Sequence, residues 1–284
     1  MSRTATIRRH RWVQPSLMPG LGLSLGTTLV WLSLIVLIPL AALALRPWEL
    51  GLSGVLAVLT EDRVVSAFRL SFGAAGIAAL VDACLGLLLA WVLVRYQFPG
   101  RRVLDALVDL PFALPTAVAG IALTAIYAPN GPIGALLAPL GIKTAYAPLG
   151  VIIALIFTGL PFVVRAVQPV LEDLDREVEE AARTLGASDL QRVVMVVLPA
   201  ILPALIGGVS LAFARAVGEY GSVIFIAGNI PGLTEIAPLL ITIKLEQYDY
   251  AGAATLGLGM LVLSFVILLV VNLIQSLLVR RLTP

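Results

Sequence analysis

The sequence predicts an all-α protein that crosses a membrane six times, and two observations carry that prediction. Of the 284 residues, 60% are hydrophobic and only 13% are charged, whereas soluble domains contain about 45–50% apolar residues. The apolar residues also form segments of about 20, the length at which a helix spans about 30 Å of hydrocarbon with its backbone bonded internally. We therefore expect a tail of residues 1–20 followed by one transmembrane domain, residues 21–284.

Six segments meet the length criterion for a spanning helix. They are residues 21–45, 64–94, 107–127, 149–167, 201–227 and 251–279. The first follows a group of arginines and could be taken for a secretion signal, but its apolar length exceeds the roughly 7–15 residues of a signal's apolar core. We expect it to be retained. In the third, Pro111 and Pro115 each remove a backbone donor and predict a kink.

The arginines and lysines indicate the orientation of the spans. Most of them fall in the N-terminal tail, in the C-terminal end and in the loops after the second and fourth spans. Cytoplasmic loops carry the excess of Lys and Arg. Both termini, and the long loop of residues 171–199, are therefore predicted to be cytoplasmic.

Composition excludes several functional classes. The net charge is only +2, and no basic run is interleaved with aromatic residues, which argues against a nucleic-acid partner. With one cysteine, Cys84, and one histidine, His10, we predict neither a disulfide framework nor a His/Cys metal site. Gly141-Ile142-Lys143-Thr144 lacks the glycines of a phosphate-binding loop. We predict no catalytic residue, no metal and no cofactor bound by this chain.

The loop of residues 171–199 is the most polar stretch of the domain and is predicted to form two helices. Apolar residues three and four apart form one stripe; they are Leu171, Leu174, Val178, Ala181 or Ala182, and Leu185. Asp175 is a predicted N-cap and Gly186 a predicted stop, which gives a helix over 176–185. Ser188 and Gln191 have capping-box spacing and start a second helix, expected to end near Leu198 and Pro199.

Two interpretations of this loop remain open from its pattern alone. It could be a solvated connector between spans. However, a connector needs only a few residues, and this loop has about 30, with caps and an apolar stripe that requires something to pack against. The second interpretation is a docking element for another protein.

Residues of the same loop also carry a resemblance to a known protein family. Glu180-Ala181-Ala182, Gly186 and Val196-Val197-Leu198-Pro199 have the spacing of the cytoplasmic signature E-A-A-x(3)-G-x(9)-I-x-L-P of ABC importer permeases, with Val196 in place of isoleucine. The runs "VLVRYQFPGRRVLDALVDLPFALPTAVAGIALT" and "ARAVGEYGSVIFIAGNIPG" extend the likeness. The chain resembles the sulfate/thiosulfate importer permeases most, and the molybdate permeases next.

This resemblance implies a type I ABC importer permease fold, with the loop as the coupling helix that enters a cleft of an ATP-binding subunit. The implied coupling residues are Glu179, Glu180, Ala181, Ala182, Arg183, Gly186, Ala187, Leu198 and Pro199. ATP and Mg²⁺ would be bound by that partner. The other implied partners are a homologous second permease, forming a heterodimer in the sulfate family and a homodimer in the molybdate family, and a periplasmic sulfate-binding protein. The implied location is the bacterial inner membrane.

Ionisable residues inside the membrane are candidates for the transport pathway. Arg215 and Glu219 are four residues apart and can pair, either to lock helices together or to line the pathway of an anion. Asp82 could face the pathway or form a hydrogen bond to another helix, and the second is favoured because a carboxylate in the pathway would repel an anion. The resemblance implies a gate after the fifth span, so the predicted pathway or gate residues are Arg215, Glu219, Tyr220, Ser222, Pro115 and Thr116. Residues 233–245 are apolar but too short to span.

A gradient-driven secondary transporter is the alternative from another class. Such carriers often contain inverted repeats and intramembrane carboxylates, a role that Glu219 and Asp82 could fill. The two halves of the sequence show no matching repeat, and this alternative leaves the polar loop unexplained. A membrane enzyme is less favoured because no predicted face collects a catalytic constellation.

Overall fold

A computed structural model describes residues 20–282, and every regular element within them is helical. The helices are α1 (Leu21–Leu32), α2 (Ile38–Leu45), α3 (Gly51–Leu59), α4 (Asp62–Arg95), α5 (Arg101–Val108), α6 (Leu110–Ala113), α7 (Thr116–Tyr127), α8 (Gly134–Leu137), α9 (Pro148–Asp173), α10 (Arg176–Thr184), α11 (Asp189–Arg192), α12 (Leu198–Val217), α13 (Val223–Ile226), α14 (Ala237–Glu246) and α15 (Tyr250–Leu282). Two π-helical segments, Ser33–Leu37 and Val193–Val197, join α1 to α2 and α11 to α12. Apart from Gly20, the predicted tail lies outside the described residues.

Five helical stretches of the described chain are long and apolar enough to cross a membrane. They are Gly22–Leu59, Asp62–Arg95, Pro148–Asp173, Asp189–Val217 and Tyr250–Leu277. Five of the six predicted segments fall on them. The fifth predicted segment ends earlier than expected, at Val217, because the chain turns at Gly218.

The prediction of one helix over residues 107–127 was wrong. The stretch forms three helices, α5, α6 and α7, and α7 has only 12 residues. Pro115 causes the break between α6 and α7: it disfavours helical geometry in the residue before it, and Leu114 is extended with φ −86° and ψ 136°. At about 1.5 Å per residue, α7 is roughly 18 Å long, well short of a bilayer core of about 30 Å.

The described residues up to Leu45 form one compact unit and those from Arg46 onward a second. In the first unit, α1, the π segment and α2 make one uninterrupted helix over 21–45, as predicted. Pro39 is accommodated in it because the preceding turn is wide. The N–H of Ile38 donates to the carbonyl of Ser33, five residues earlier, instead of following the α-helical pattern of four.

Three helices of the second unit, α4, α9 and α12, pack against one another and form its core. Small residues let their backbones approach closely. A Cβ added to Gly86 of α4 would lie 2.7 Å from Val163 Cγ1 of α9, and one added to Gly208 of α12 would lie 3.0 Å from Val163 Cα. Neither helix could approach Val163 as closely with a larger residue at these positions.

The short helix α14 packs against α15 and α4. It has 10 residues, so the prediction that this apolar stretch is too short to span is confirmed. Two contacts fix its start on α4. Arg63 donates two hydrogen bonds, of 2.8 and 2.7 Å, to the buried carboxylate of Glu235, and the N–H of Ala237 donates to Ser71 Oγ at 2.8 Å. α15 in turn contacts α12, where Gln275 Nε2 donates to the carbonyl of Pro203.

Candidate functional site

A buried polar cluster lies where α12 ends. Arg215 Nη1 is 2.5 Å from Glu219 Oε2, and the other carboxylate oxygen accepts hydrogen bonds from the N–H and the hydroxyl of Ser222, both at 2.9 Å. The Glu219 side chain is 1% exposed and that of Arg215 is 36% exposed. Burying a carboxylate is costly unless it is paired and hydrogen-bonded. Glu219 meets both conditions and holds the turn of residues 218–222.

Helix α7 packs directly on this turn. Pro115 is the N-cap of α7 and Thr116 its first residue. A Cβ added to Gly221 would lie 2.9 Å from Thr116 Cβ, and one added to Gly120 would lie 2.8 Å from Ser222 Cα. The structure therefore brings Thr116 together with the segment that carries Arg215, Glu219 and Ser222, although about 100 residues separate them. Tyr220 lies half-buried beside the apolar core.

Asp82 does not make the predicted hydrogen bond to another helix. Its side chain is buried among α4, α9 and α12, and neither carboxylate oxygen has a hydrogen-bond partner among the described residues. The carboxylate faces the backbone of Gly159, where an added Cβ would collide with Oδ2. The close approach of α9 explains the result, because the position opposite Asp82 is a glycine that offers no side-chain donor.

The polar loop forms the first of its two predicted helices, with the predicted caps. The Asp175 side chain accepts from the N–H of Glu177 at 2.9 Å and starts α10. Gly186, at φ +88°, ends it: its N–H donates to the Arg183 carbonyl and that of Ala187 to the Ala182 carbonyl, each at 3.0 Å. Predicted as 176–185, the helix spans Arg176–Thr184.

The start of the second helix is also as predicted, but its end is not. Ser188 and Gln191 form the reciprocal capping box, with bonds of 2.8 and 3.3 Å. The helix does not end near Pro199. The π segment before it directs the N–H of Leu198 to the carbonyl of Val193, five residues earlier, and the wider turn accommodates the proline. The helix then continues to Val217.

The docking stripe, defined as Val178, Ala181 and Leu185 of the predicted apolar face, is exposed in this chain. Leu185 is 88% exposed, and the large apolar side chains of Leu190 and Met195 are also exposed nearby. Glu180 and Arg183 are exposed, whereas Glu179, Ala182 and Ala187 are half-buried. Exposed apolar patches of this kind mark interaction surfaces. The loop is therefore structured, but no other part of the described chain covers its exposed apolar side chains.

Within the described residues, three ion-pair groups join distant parts of the chain, and none of them was predicted from the sequence. They are Arg95 with Glu179, Arg63 with Glu235, and Arg165 with Asp105 and Asp109. The partners are 84, 172, 60 and 56 residues apart, so no local spacing in the sequence predicts these ion pairs. The only available signal was the presence of arginine at the ends of predicted spans. Among residues 20–282, no group of three or more His, Cys, Asp or Glu side chains could hold a metal ion.

Comparison with known proteins gives matches along nearly the whole chain. A family model described as "binding-protein-dependent transport system inner membrane component" matches residues 83–284. The "sulfate transport system permease protein CysT" of Salmonella typhimurium is 48% identical over 264 residues, 93% of this chain and 95% of that protein. The protein of the same name from Escherichia coli K12 is 47% identical over the same shares.

Solved structures share the fold at low sequence identity. A chain of a bacterial alginate ABC transporter, in complex with an alginate pentasaccharide-bound periplasmic protein, matches with a TM-score of 0.74 at 18% identity, covering 90% of this chain and 93% of that one. A chain of the MetNI methionine ABC transporter in an inward-facing conformation matches with a TM-score of 0.55 at 21% identity, covering 78% and 96%. These two likenesses concern the fold alone.

Proposed function

Because the chain belongs to the family of binding-protein-dependent transport system inner membrane components, we propose that it is the permease of an ATP-driven importer for sulfate and thiosulfate. The substrate rests on the named function of the relatives that are 47–48% identical over 93% of the chain. The fold is that of an ABC transporter permease, a transport subunit. ATP and Mg²⁺ are proposed to be bound and used by a separate ATPase subunit.

The proposed assembly contains four kinds of subunit. This chain pairs with a homologous second permease as a heterodimer, two ATP-binding subunits dock from the cytoplasm, and a periplasmic sulfate-binding protein delivers the anion. The arginine distribution supports the orientation, with both termini and the docking stripe in the cytoplasm. The proposed location is the bacterial inner membrane.

The single observation that carries the proposal is the structured but uncovered docking stripe. Glu180, Arg183 and the stripe face outward from α10, and Gly186, Ala187, Leu198 and Pro199 place the following helix. Asp189–Val217 is one helical stretch, so it joins the docking end directly to the Arg215 cluster. A movement of the ATPase would then reach the cluster through a rigid element rather than through a flexible linker.

The electrostatics of the cluster suit an anion. The exposed member of the pair is the guanidinium of Arg215, and the buried member is the carboxylate of Glu219. A passing dianion would therefore meet a positive group, while the negative group is shielded by Ser222. We propose that Arg215 contacts the anion and that Glu219, Tyr220, Ser222, Pro115 and Thr116 form the gate around it.

The test is uptake of radiolabelled sulfate by a strain that lacks this chain. Cells are complemented with the wild type, with Glu180→Lys or Gly186→Pro in the docking region, or with Asp173→Lys as a control. The control makes the same charge change at an exposed carboxylate outside α10. Excess thiosulfate and excess molybdate serve as competitors.

We expect uptake from the wild type and Asp173→Lys only, competed by thiosulfate and not by molybdate. Immunoblots of membranes should show equal amounts of all four proteins, which separates coupling from insertion. Stronger competition by molybdate would move the substrate to the molybdate class. Normal uptake by both docking variants would refute the docking role and favour a gradient-driven carrier.

A further inference from the structure

We infer that the ion pair between Arg95 and Glu179 ties the docking helix to α4, so that Glu179 acts within this chain and not on the ATPase. The inference rests on the proposed docking function and refines it. It divides two neighbouring carboxylates between two roles: Glu180 for the partner subunit and Glu179 for the chain's own core.

The geometry fixes Arg95 tightly. Arg95 is the last residue of α4, and its Nη2 donates to Glu179 Oε1 on α10. The two side chains are 12% and 15% exposed. The guanidinium carbon also lies 5.6 Å from the ring centroid of Trp91, one turn earlier on α4, at a cation–π distance. The arginine is thus held between the ring of its own helix and the carboxylate of α10.

The pair has no substitute among the described side chains. Among the described side chains it is the only ion pair that α10 makes, and the Nε of Arg95 is buried with no hydrogen-bond partner in the part of the chain that the structure describes. Loss of Glu179 would therefore leave a largely buried guanidinium without its carboxylate, a costly arrangement. Glu180, one residue further, is exposed and makes no ion pair with another described side chain.

The connectivity of the core shows what the pair adds. The backbone runs from α9 into α10 and from α11 through the π segment into α12. A force applied to α10 therefore reaches α9 and α12 through covalent links. The third core helix, α4, packs on α9 and α12 but has no chain connection to α10. The Arg95–Glu179 pair gives α4 a direct contact with the docking helix, so that all three core helices follow α10 together.

The experiment uses the complete transporter with its binding protein in proteoliposomes and measures sulfate imported and ATP hydrolysed in the same sample. The variants are Arg95→Gln, Glu179→Gln, Arg95→Lys and the double reversal Arg95→Glu/Glu179→Arg. Arg102→Gln and Glu180→Gln are the matched controls, because Arg102 is an exposed arginine that makes no ion pair within the described residues and Glu180 is the neighbouring exposed carboxylate.

We expect Arg95→Gln and Glu179→Gln to keep hydrolysing ATP while the sulfate imported per ATP falls roughly fivefold or more, the lower end of ordinary coupling between sites. Arg95→Lys and the double reversal should retain most of the wild-type ratio of sulfate imported to ATP hydrolysed. Arg102→Gln should behave as the wild type. Glu180→Gln should instead lower ATP hydrolysis itself, because it weakens docking.

Several outcomes would overturn the inference. An unchanged amount of sulfate imported per ATP in Arg95→Gln and Glu179→Gln, with only a lower thermal stability, would show that the pair stabilises the fold without coupling the helices. A double reversal no better than the single variants would show that the two residues do not act as a pair. If Arg95→Gln or Glu179→Gln fails to assemble, the sulfate imported per ATP in Arg95→Lys and in the double reversal decides whether the pair couples the helices. Absence of ATP-dependent sulfate import by the wild type would instead refute the proposed function itself.

Discussion

Replacing Gly159 by alanine should destabilise the core, because the new methyl group would collide with the buried carboxylate of Asp82. The contact lies at the centre of the packing among α4, α9 and α12. Asp82 is 1% exposed, so its side chain has little room to move away. The second neighbour of the new methyl, Ala212 Cβ, would be at an ordinary contact distance of 3.5 Å.

Two opposing terms set the magnitude. Alanine is favoured over glycine inside a helix by about 0.8–1.0 kcal/mol, and overpacking a well-filled core costs about 1–3 kcal/mol. Gly207 on α12 provides the control, since a Cβ added there meets no atom within 4 Å. Gly207→Ala keeps the first term alone, so Gly159→Ala should be the less stable of the two by about 1–3 kcal/mol. Each kcal/mol corresponds to a Tm lower by roughly 2–4 °C for a chain of similar size.

The assay is thermal unfolding of the purified transporter in detergent, at one scan rate for all variants. Asp82→Ala removes the colliding group, so the double variant Gly159→Ala/Asp82→Ala should melt no lower than Asp82→Ala alone. Equal Tm values for Gly159→Ala and Gly207→Ala would refute the close packing of α4 on α9. A double variant as unstable as Gly159→Ala would show that the methyl group collides with something other than Asp82.

Three further changes test other contacts. Arg63→Gln should lower the stability by about 1–3 kcal/mol, because it leaves the buried carboxylate of Glu235 unpaired; thermal unfolding measures this, and an unchanged Tm would contradict it. Gly186→Ala should destabilise the C-terminal end of α10 by about 1–2 kcal/mol, because φ is +88° at this position. Amide hydrogen exchange in α10 should be slower in Gly186→Asn than in Gly186→Ala. Equal exchange in the two variants would argue against the left-handed turn. Lys244 lowers the pKa of Asp249 by its hydrogen bond, so that carboxylate adds stability above its unfolded pKa and loses it as pH falls through the folded value. The Tm gap between wild type and Asp249→Asn should therefore narrow as the pH falls below about 4, and a gap that stays constant as the pH is lowered would refute this.

The turn chemistry of the polar loop could be predicted because it depends on near neighbours. Asp175, Ser188 with Gln191, and Gly186 each satisfy backbone groups two or three residues away. Such bonds need no knowledge of the rest of the fold. The boundaries of α10 were accordingly predicted to within one residue.

Prolines show where local sequence stops being informative. Pro115 ends a helix, whereas Pro39 and Pro199 lie within continuous helical stretches. The difference lies in the turn before each proline: a π turn widens the helix before Pro39 and Pro199, and an extended Leu114 precedes Pro115. Which solution a chain adopts depends on the packing around it, and the sequence window around a proline does not contain that information.

The same limit applies to the contacts that assemble the candidate site. The spacing of Arg215 and Glu219 predicted that they could pair, but the approach of Thr116 to the same turn depends on a close contact at Gly221. For Asp82 the predicted partner is absent because α9 presents Gly159 there. In each case the deciding fact is which residue of another helix lies opposite.

The unbroken stretch Asp189–Val217 has a mechanical consequence. Its 29 residues make a rod about 43 Å long at 1.5 Å per residue. A tilt of roughly 10° about its middle would carry its two ends about 4 Å in opposite directions, as follows from that length. The rod is thus a lever with Leu190 at one end and Arg215 at the other, and the same tilt of roughly 10° shifts the turn that carries the buried Glu219 by more than the 2.9 Å length of its hydrogen bonds to Ser222.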